Sequence, residues 1–187
     1  SKLISKATFY NNSSNKDIAS FTEVASMNQT HSDVVLEIER SGVYDADALI
    51  TTKKNLLLVV STADCMPVVI SDSTRVGIIH IGWKGVENKI FYNAIKNFDK
   101  NKLKVSIGPH AKACCYEIQD DLSHKFQDYT IEREEKKFLN LSEDIIFFCK
   151  KNNIELEIAN ECTIGDTMFY SYRRDKTSLR QESTVWM

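Results

Sequence analysis

Two prolines and six glycines in 187 residues leave no Pro-rich hinge, and the chain has no internal repeat or low-complexity linker to mark a domain boundary. One domain over residues 1–187 is expected, since the length suits one sizeable core and is short for two. A Gly-rich phosphate loop of the Walker or dinucleotide kind is also missing. Charge of one sign is lacking too: 24 Lys and Arg against 26 Asp and Glu give a net charge of -2 and a pI near 6.1. No overall basic field is there to hold a nucleic-acid backbone, so nucleic acid is not an expected partner. Runs such as Asn55 to Val60 and Ile145 to Phe148 fall far short of the roughly 20 apolar residues a membrane helix needs. No membrane partner is expected. Five cysteines are an odd number, two are adjacent, and the first residues lack a basic, then apolar, then small-residue leader pattern. A soluble protein of the reducing cytoplasm is the expectation.

What is present is a series of short apolar runs. After a short opening strand, Asn11 to Asp17 is rich in Asn and Ser and reads as a solvated loop. Asp33 to Ile38 alternates weakly, whereas Leu56 to Ser61, Val68 to Ser71 and Val76 to Ile81 are continuous β-branched or Leu-rich runs that suit strands covered on both faces. Apolar residues at 86, 90, 91, 94, 95 and 98 predict one helix from Val86 to Phe98. Lys104 to Ile107 predicts a strand, and a second helix is expected from Leu141 or Ser142 to Lys151. Asn140 and Glu143 there resemble a capping box. Ile154 to Ile158 and Ser183 to Trp186 complete the strands. The pattern predicts an α/β or α+β sandwich, with a mixed β-sheet covered by helices.

Two of the runs end in soft metal ligands, Cys65 in Thr62-Ala63-Asp64-Cys65-Met66-Pro67 and His80 in Ile79-His80-Ile81-Gly82-Trp83-Lys84-Gly85. They follow the polar segment Asn28-Gln29-Thr30-His31-Ser32. Each residue alone has a bland reading: a buried cysteine, a satisfied core histidine, a solvated surface histidine. Together, His31, Cys65 and His80 form a three-ligand set that leaves one zinc position open for water or substrate. His110 on its Gly-Pro turn reads as an exposed histidine. Cys114 and Cys115 read as free thiols, buried small side chains or ligands, with burial the favoured reading, since neighbours in sequence form no unstrained disulfide. His124 and Cys149 receive no role. Arg173, Arg174, Arg180 and Lys84 offer cations for phosphate or carboxylate, with a salt-bridged surface as the alternative.

Several blocks resemble one family. Asn-Gln-Thr-His at 28–31, Ala-Asp-Ala-Leu-Ile-Thr at 46–51, Ala-Asp-Cys-Met-Pro-Val at 63–68 and His-Ile-Gly-Trp-Lys-Gly at 80–85 are similar to signatures of the YfiH family, also called the polyphenol oxidase or laccase-domain family. Ile-Gly-Pro at 107–109, Cys-Cys-Tyr-Glu at 114–117, Cys162-Thr163 and Phe-Tyr-Ser-Tyr-Arg-Arg-Asp at 169–175 extend the likeness over about residues 25 to 187. The resemblance implies that family's sandwich fold and places His31, Cys65 and His80 on its zinc positions. The sequence departs from the family's usual pattern in having Lys84 where Arg is usual and Leu179 before Arg180 where Gly is usual. The segment before Asn28 lacks a Gly-Ser-rich block and an Asn-Leu block, so part of the pocket is expected to be missing or rebuilt.

The resemblance implies purine nucleoside phosphorylase activity, with adenosine deaminase and methylthioadenosine phosphorylase activity alongside it. The partners would be a nucleoside and phosphate, with zinc as cofactor. In this reading Asp64 shuttles a proton, Cys65 is a catalytic metal ligand, and Arg174, Arg173 and Lys84 bind phosphate or substrate. Two other enzyme readings stay open. Cys65 and His80 can form a nucleophile and base pair of a cysteine hydrolase or amidase. Copper-dependent phenol oxidation is the other, although four histidines are too few for a multicopper site; a single copper bound in vitro can give weak oxidase activity. A structural metal module is disfavoured because structural zinc is usually closed by four protein ligands.

Overall fold

The computed structural model describes residues 1–13 and 17–187. In chain order the elements begin with β1 (Ala7–Phe9), β2 (Val24–Met27), β3 (Val35–Glu37), β4 (Gly42–Tyr44), β5 (Ala48–Thr51), β6 (Leu57–Thr62), β7 (Met66–Ser71) and β8 (Val76–Ile81). Helices α1 (Trp83–Glu87) and α2 (Ile90–Ile95) follow, then β9 (Lys104–Ile107), β10 (Glu117–Ile118), α3 (Asp120–Lys125), β11 (Thr130–Arg133) and β12 (Lys136–Leu139). The chain finishes with α4 (Glu143–Lys151), β13 (Glu155–Ile158), α5 (Tyr172–Asp175) and β14 (Gln181–Val185).

A six-stranded sheet, ordered β13-β9-β7-β8-β5-β3, stands at the centre. Its strands run in mixed directions, parallel for β13 with β9 and β3 with β5, antiparallel through β9, β7, β8 and β5. Side chains alternate between its two faces. Leu49, Val69 and Ile78 pack with Ala25, Leu58, Val60 and Val185 of the five-stranded sheet β1-β14-β6-β2-β4. Ala48, Ile50, Val68, Ile70, Ile79 and Ile81 pack instead with Ile90, Phe91, Ala94 and Ile95 of α2 and Ile145 and Cys149 of α4. Both faces are therefore covered, which is why these strands are continuous apolar runs. The architecture is the mixed sandwich expected from the sequence.

The helix expected over Val86 to Phe98 is two helices. Lys89 between them is left-handed, at φ 59°, and its N–H bonds to Val86 O rather than continuing the α pattern. The apolar stripe survives the break, since Val86, Ile90, Phe91, Ala94, Ile95 and Phe98 are all buried, so periodicity alone does not register it. The capping box also differs. Asn140 Nδ2 donates to the Glu143 carboxylate at 2.7 Å, side chain to side chain, while Ser142 occupies the cap position and its hydroxyl donates to Asn140 Oδ1 at 3.1 Å instead of accepting from a helix N–H. The hairpin β11–β12 escaped the sequence reading because its turn is Glu134-Glu135, both residues at positive φ, rather than a pair containing Gly or Asn. Of the loop expected from Asn11 to Asp17, residues 14–16 lie outside the described residues, and Asp17–Ser20 forms a short 3-10 turn. No helix among the described residues is long and apolar enough to cross a membrane.

Candidate metal centre

The end of the sandwich where β6 hands over to β7 and β8 runs into α1 carries the three ligand candidates. His80 lies two residues beyond Ile78 and so shares its inter-sheet face, at the last turn of pleat before Gly82. Cys65 ends the corner Ala63-Asp64-Cys65 that carries the chain from one sheet to the other, with Asp64 at φ 86°. His31 is in the loop after β2, itself left-handed at φ 60°, a conformation that costs roughly 1–2 kcal/mol for a residue with a Cβ.

Asp47 holds this arrangement together. It is fully buried just before β5 and accepts from the N–H groups of Thr30, His31 and Ser32 at 3.2, 3.1 and 2.6 Å, and from Ser32 Oγ at 2.6 Å. His80 Nδ1 donates to it at 2.7 Å. Burial pushes the Asp47 carboxyl up, but its bonds to His80 and Ser32 outweigh that and hold it well below the usual carboxylate range. The same carboxylate thus sets the strained loop of His31 and fixes the His80 tautomer, leaving Nε2 to face the site. Sequence reading placed Asp47 inside a motif block but gave it no role; the available signal was a lone acid between two alanines at the start of an apolar strand.

The three ligand atoms lie within 4.8 Å of one another. Cys65 Sγ is 3.6 Å from His31 Nε2, and the His31 and His80 rings meet edge to face at 4.7 Å. Burial raises the Cys65 thiol, but hydrogen bonds from His31 and His80 and their charge bring it down to about 6. Burial lowers His80, and its bonds to Asp47 and Cys65 lift it to about 9. The donor set fits zinc. With Zn–S of about 2.3 Å and Zn–N of about 2.05 Å, a tetrahedral ion separates S and N ligands by roughly 3.6 Å, the spacing found between Cys65 and His31. Gly82 makes the approach possible, because a Cβ there would stand 2.9 Å from His31 Cδ2 and 3.1 Å from Cys65 Sγ.

The ligands open into a cavity of about 550 Å3 whose walls include Trp83, Tyr116, Tyr172, Arg173 and Arg180. Asp64 is the one carboxylate lining it among the described residues. Its Oδ1 accepts from Thr163 Oγ1 at 2.9 Å and its Oδ2 from Arg173 N–H at 2.6 Å, so it also ties α5 to the cavity wall. Arg173 reaches the cavity with its guanidinium 5.1 Å from the Tyr116 ring centre.

Two expected anion contacts are elsewhere. Arg174 turns away from the cavity: its guanidinium donates to the carbonyls of Thr163, Ile164, Asp166 and Phe169 at 2.8 to 3.3 Å and to the Asp175 carboxylate. Those bonds use the planar fork to tie down the segment before α5. Lys84 is exposed on α1, with Nζ 5.6 Å from the Trp83 ring centre, and does not line the cavity. Arg180 does line it.

Three further side chains correct the expectations. His110 is fully buried rather than exposed: Nδ1 donates to Gly108 O at 2.8 Å, Nε2 has no protein partner, and burial pulls its pKa down to about 4. Cys114 is exposed and Cys115 only half-buried, where burial of both was expected.

Residues 8–187 match the profile of a family described as multi-copper polyphenol oxidoreductase laccase. The chain belongs to this family. A Clostridium acetobutylicum protein named purine nucleoside phosphorylase is 36% identical over 180 residues, covering 87% of this chain and 76% of that protein. A protein of the same name from Aquifex aeolicus is 32% identical over 163 residues, covering 84% and 79%. Among solved structures, Neisseria meningitidis protein NMB0706 aligns with a TM-score of 0.77 at 26% identity, over 88% of this chain and 74% of that one. Bacillus licheniformis YfiH aligns at 0.75 and 24% identity, over 86% and 72%, and shares the fold.

Proposed function

We propose that this protein is a zinc-dependent purine nucleoside phosphorylase with adenosine deaminase activity in the same cavity. The observation that carries the reading is the convergence of two imidazoles and one thiol, spaced for one tetrahedral ion, on the floor of a cavity of nucleoside size. Two relatives above 30% identity bear the name purine nucleoside phosphorylase, which supports the substrate class. His31, Cys65 and His80 would hold the metal, with Asp47 orienting His80. When bound, zinc supplies Lewis acidity that stabilises negative charge developing on the substrate or an attacking oxygen.

The chain's own residues do the rest. Tyr116, Trp83 and Tyr172 offer apolar and aromatic surface for a purine. Arg173 and Arg180 supply positive charge at the cavity for phosphate oxyanions, in place of Arg174 and Lys84. Asp64 is assigned to proton transfer with the departing base or amino group, since it is the carboxylate lining the cavity. Methylthioadenosine is a further substrate of the same chemistry.

A second reading, the cysteine hydrolase or amidase, has one specific observation behind it: the Cys65 thiol, held at about 6, lies 3.6 Å from His31 Nε2, which makes His31 rather than the expected His80 the base of that pair. A copper phenol oxidase is less well supported, because only His31 and His80 converge, while His110 is buried on Gly108 and His124 is exposed on α3. The readings separate on adenosine, inosine and methylthioadenosine incubated with and without phosphate. Phosphate-dependent release of free base supports phosphorolysis, and inosine formed without phosphate supports deamination. Protein stripped of metal that is inert to all three nucleosides, and stays inert when zinc is restored, would overturn the proposal.

A further inference from the structure

A second convergence of donors lies outside the metal centre described above. Cys114 and Cys115 sit on a turn closed by the N–H groups of Cys115 and Tyr116 donating to Lys112 O at 2.9 and 2.8 Å. Cys162 opens another turn, closed by Asp166 N–H on Cys162 O at 2.9 Å. The two turns are held side by side by the bridge between His110 and Cys162, with Thr163 N–H donating to His110 O at 3.2 Å. The three Sγ atoms lie within 4.8 Å of one another. Lys112 N–H donates to Cys162 Sγ at 3.5 Å. Gly165 lies beside this cluster, since a Cβ there would stand in ordinary contact with Cys115 Sγ at 3.4 Å.

We propose that Cys114, Cys115 and Cys162 form a second metal site, a three-thiolate cradle for a thiophilic d10 ion, Zn(II) or Cu(I). An ion with metal–sulfur bonds of about 2.3 Å spaces its sulfurs roughly 3.8 Å apart in tetrahedral and 4.0 Å in trigonal geometry, inside the spacing found here. Three thiols this close resist ionising together until a cation sits between them, and binding then releases their protons. A disulfide would consume two sulfurs and strand the third, whereas one ion uses all three. All-sulfur donors select soft ions, which sets this site apart from the nitrogen and sulfur set in the cavity. The N–H bond to Cys162 Sγ is the outer-shell support such ligands commonly have.

The site's place in the fold gives it a role. The Cys114–Cys115 turn continues directly into Tyr116, a wall of the cavity, and Cys162 precedes Thr163, which donates to Asp64. Ala111 N–H also donates to Asp64 O at 2.9 Å. An ion here staples the two segments that back the cavity wall without touching its contents.

The test uses the full chain, reduced and stripped of metal, titrated with Zn(II) alone and, under nitrogen, with Cu(I) alone. Bound ions are counted by native mass spectrometry, and reactive thiols with a chromogenic disulfide reagent. The variant H31A/H80A, which removes the cavity centre, is expected to bind one equivalent of at least one ion and to protect three thiols. The tighter ion names the occupant. The variant C114S/C115S/C162S is expected to lose that equivalent while keeping the one in the cavity. Should the triple variant fail to fold, Cys114→Ser alone, at an exposed position, is expected to weaken the ion at least tenfold in the H31A/H80A background. If H31A/H80A binds neither ion, or its thiols react equally fast with and without metal, the proposal is overturned, whatever the fate of the nucleoside reading.

Discussion

Replacing Gly82 by Ala separates metal binding from folding. Gly82 has φ -91° and ψ -176°, an extended conformation open to any residue, so the backbone accepts alanine. The obstacle is space: the new Cβ would stand 2.9 Å from His31 Cδ2 and 3.1 Å from Cys65 Sγ, and ordinary contacts begin at 3.4 Å. His31 is exposed and can swing aside without the metal. Displacing ligands by several tenths of an ångström exceeds the roughly 0.2 Å tolerance of a coordination sphere. Zinc affinity is expected to fall about 10- to 100-fold, which corresponds to about 1.4–2.7 kcal/mol. Metal-free stability should change by less than about 1 kcal/mol, because removing glycine from the unfolded chain offsets the local crowding. The assay is zinc competition against a chromophoric chelator, with thermal unfolding recorded with and without zinc. Unchanged affinity, or equal destabilisation of the metal-free and zinc-loaded proteins, would refute the geometry.

Asp47→Asn should leave the loop partly bonded but remove the charge that orients His80, lowering zinc affinity by about 10- to 100-fold; the same competition assay reads it, and equal affinity would remove Asp47 from the centre. Arg174→Ala should destabilise the protein by about 2–3 kcal/mol through the lost carbonyl bonds, with Lys a poor substitute for a planar fork. Arg173→Ala should instead raise the KM for phosphate while the thermal midpoint stays nearly constant. These two outcomes exchanged would reverse the roles assigned to the neighbouring arginines. Asp72 accepts from the N–H groups of Thr74, Arg75 and Asp99, and its carboxyl is lowered despite the opposing effect of burial. A folded pKa below the ordinary 3.8 contributes stability above that value and loses it as pH falls through the folded pKa. Asp72→Ala should therefore cost about 1–2 kcal/mol at neutral pH, and urea titrations should show the gap closing below the ordinary carboxylate range.

Much of the fold was legible because burial on both faces leaves a direct trace in sequence. Val76 to Ile81 and Lys104 to Ile107 are strands with the expected bounds, and both lie in the central sheet. Local backbone choices left less trace. One left-handed residue, Lys89, divides an apolar stripe that reads as continuous, and the charged hairpin around Glu134 and Glu135 has neither alternation nor a glycine. At the site, residue chemistry named His31, Cys65 and His80, which the fold brings together. What chemistry alone does not reveal is direction. Arg173 and Arg174 are neighbours of one type, yet one faces the cavity and the other is spent on carbonyls. Asp47 was hidden for a related reason, since its importance lies in five hydrogen bonds from partners spread from Thr30 to His80.

The most direct measurement is phosphorolysis of inosine by the chain as purified, after metal removal, and after one zinc per cavity is restored, with Cys65→Ser alongside. The account predicts free hypoxanthine released only with phosphate, lost on stripping, recovered with zinc, and absent in the Cys65→Ser variant. Full turnover by stripped protein, or by Cys65→Ser with the cavity ion missing, would contradict it.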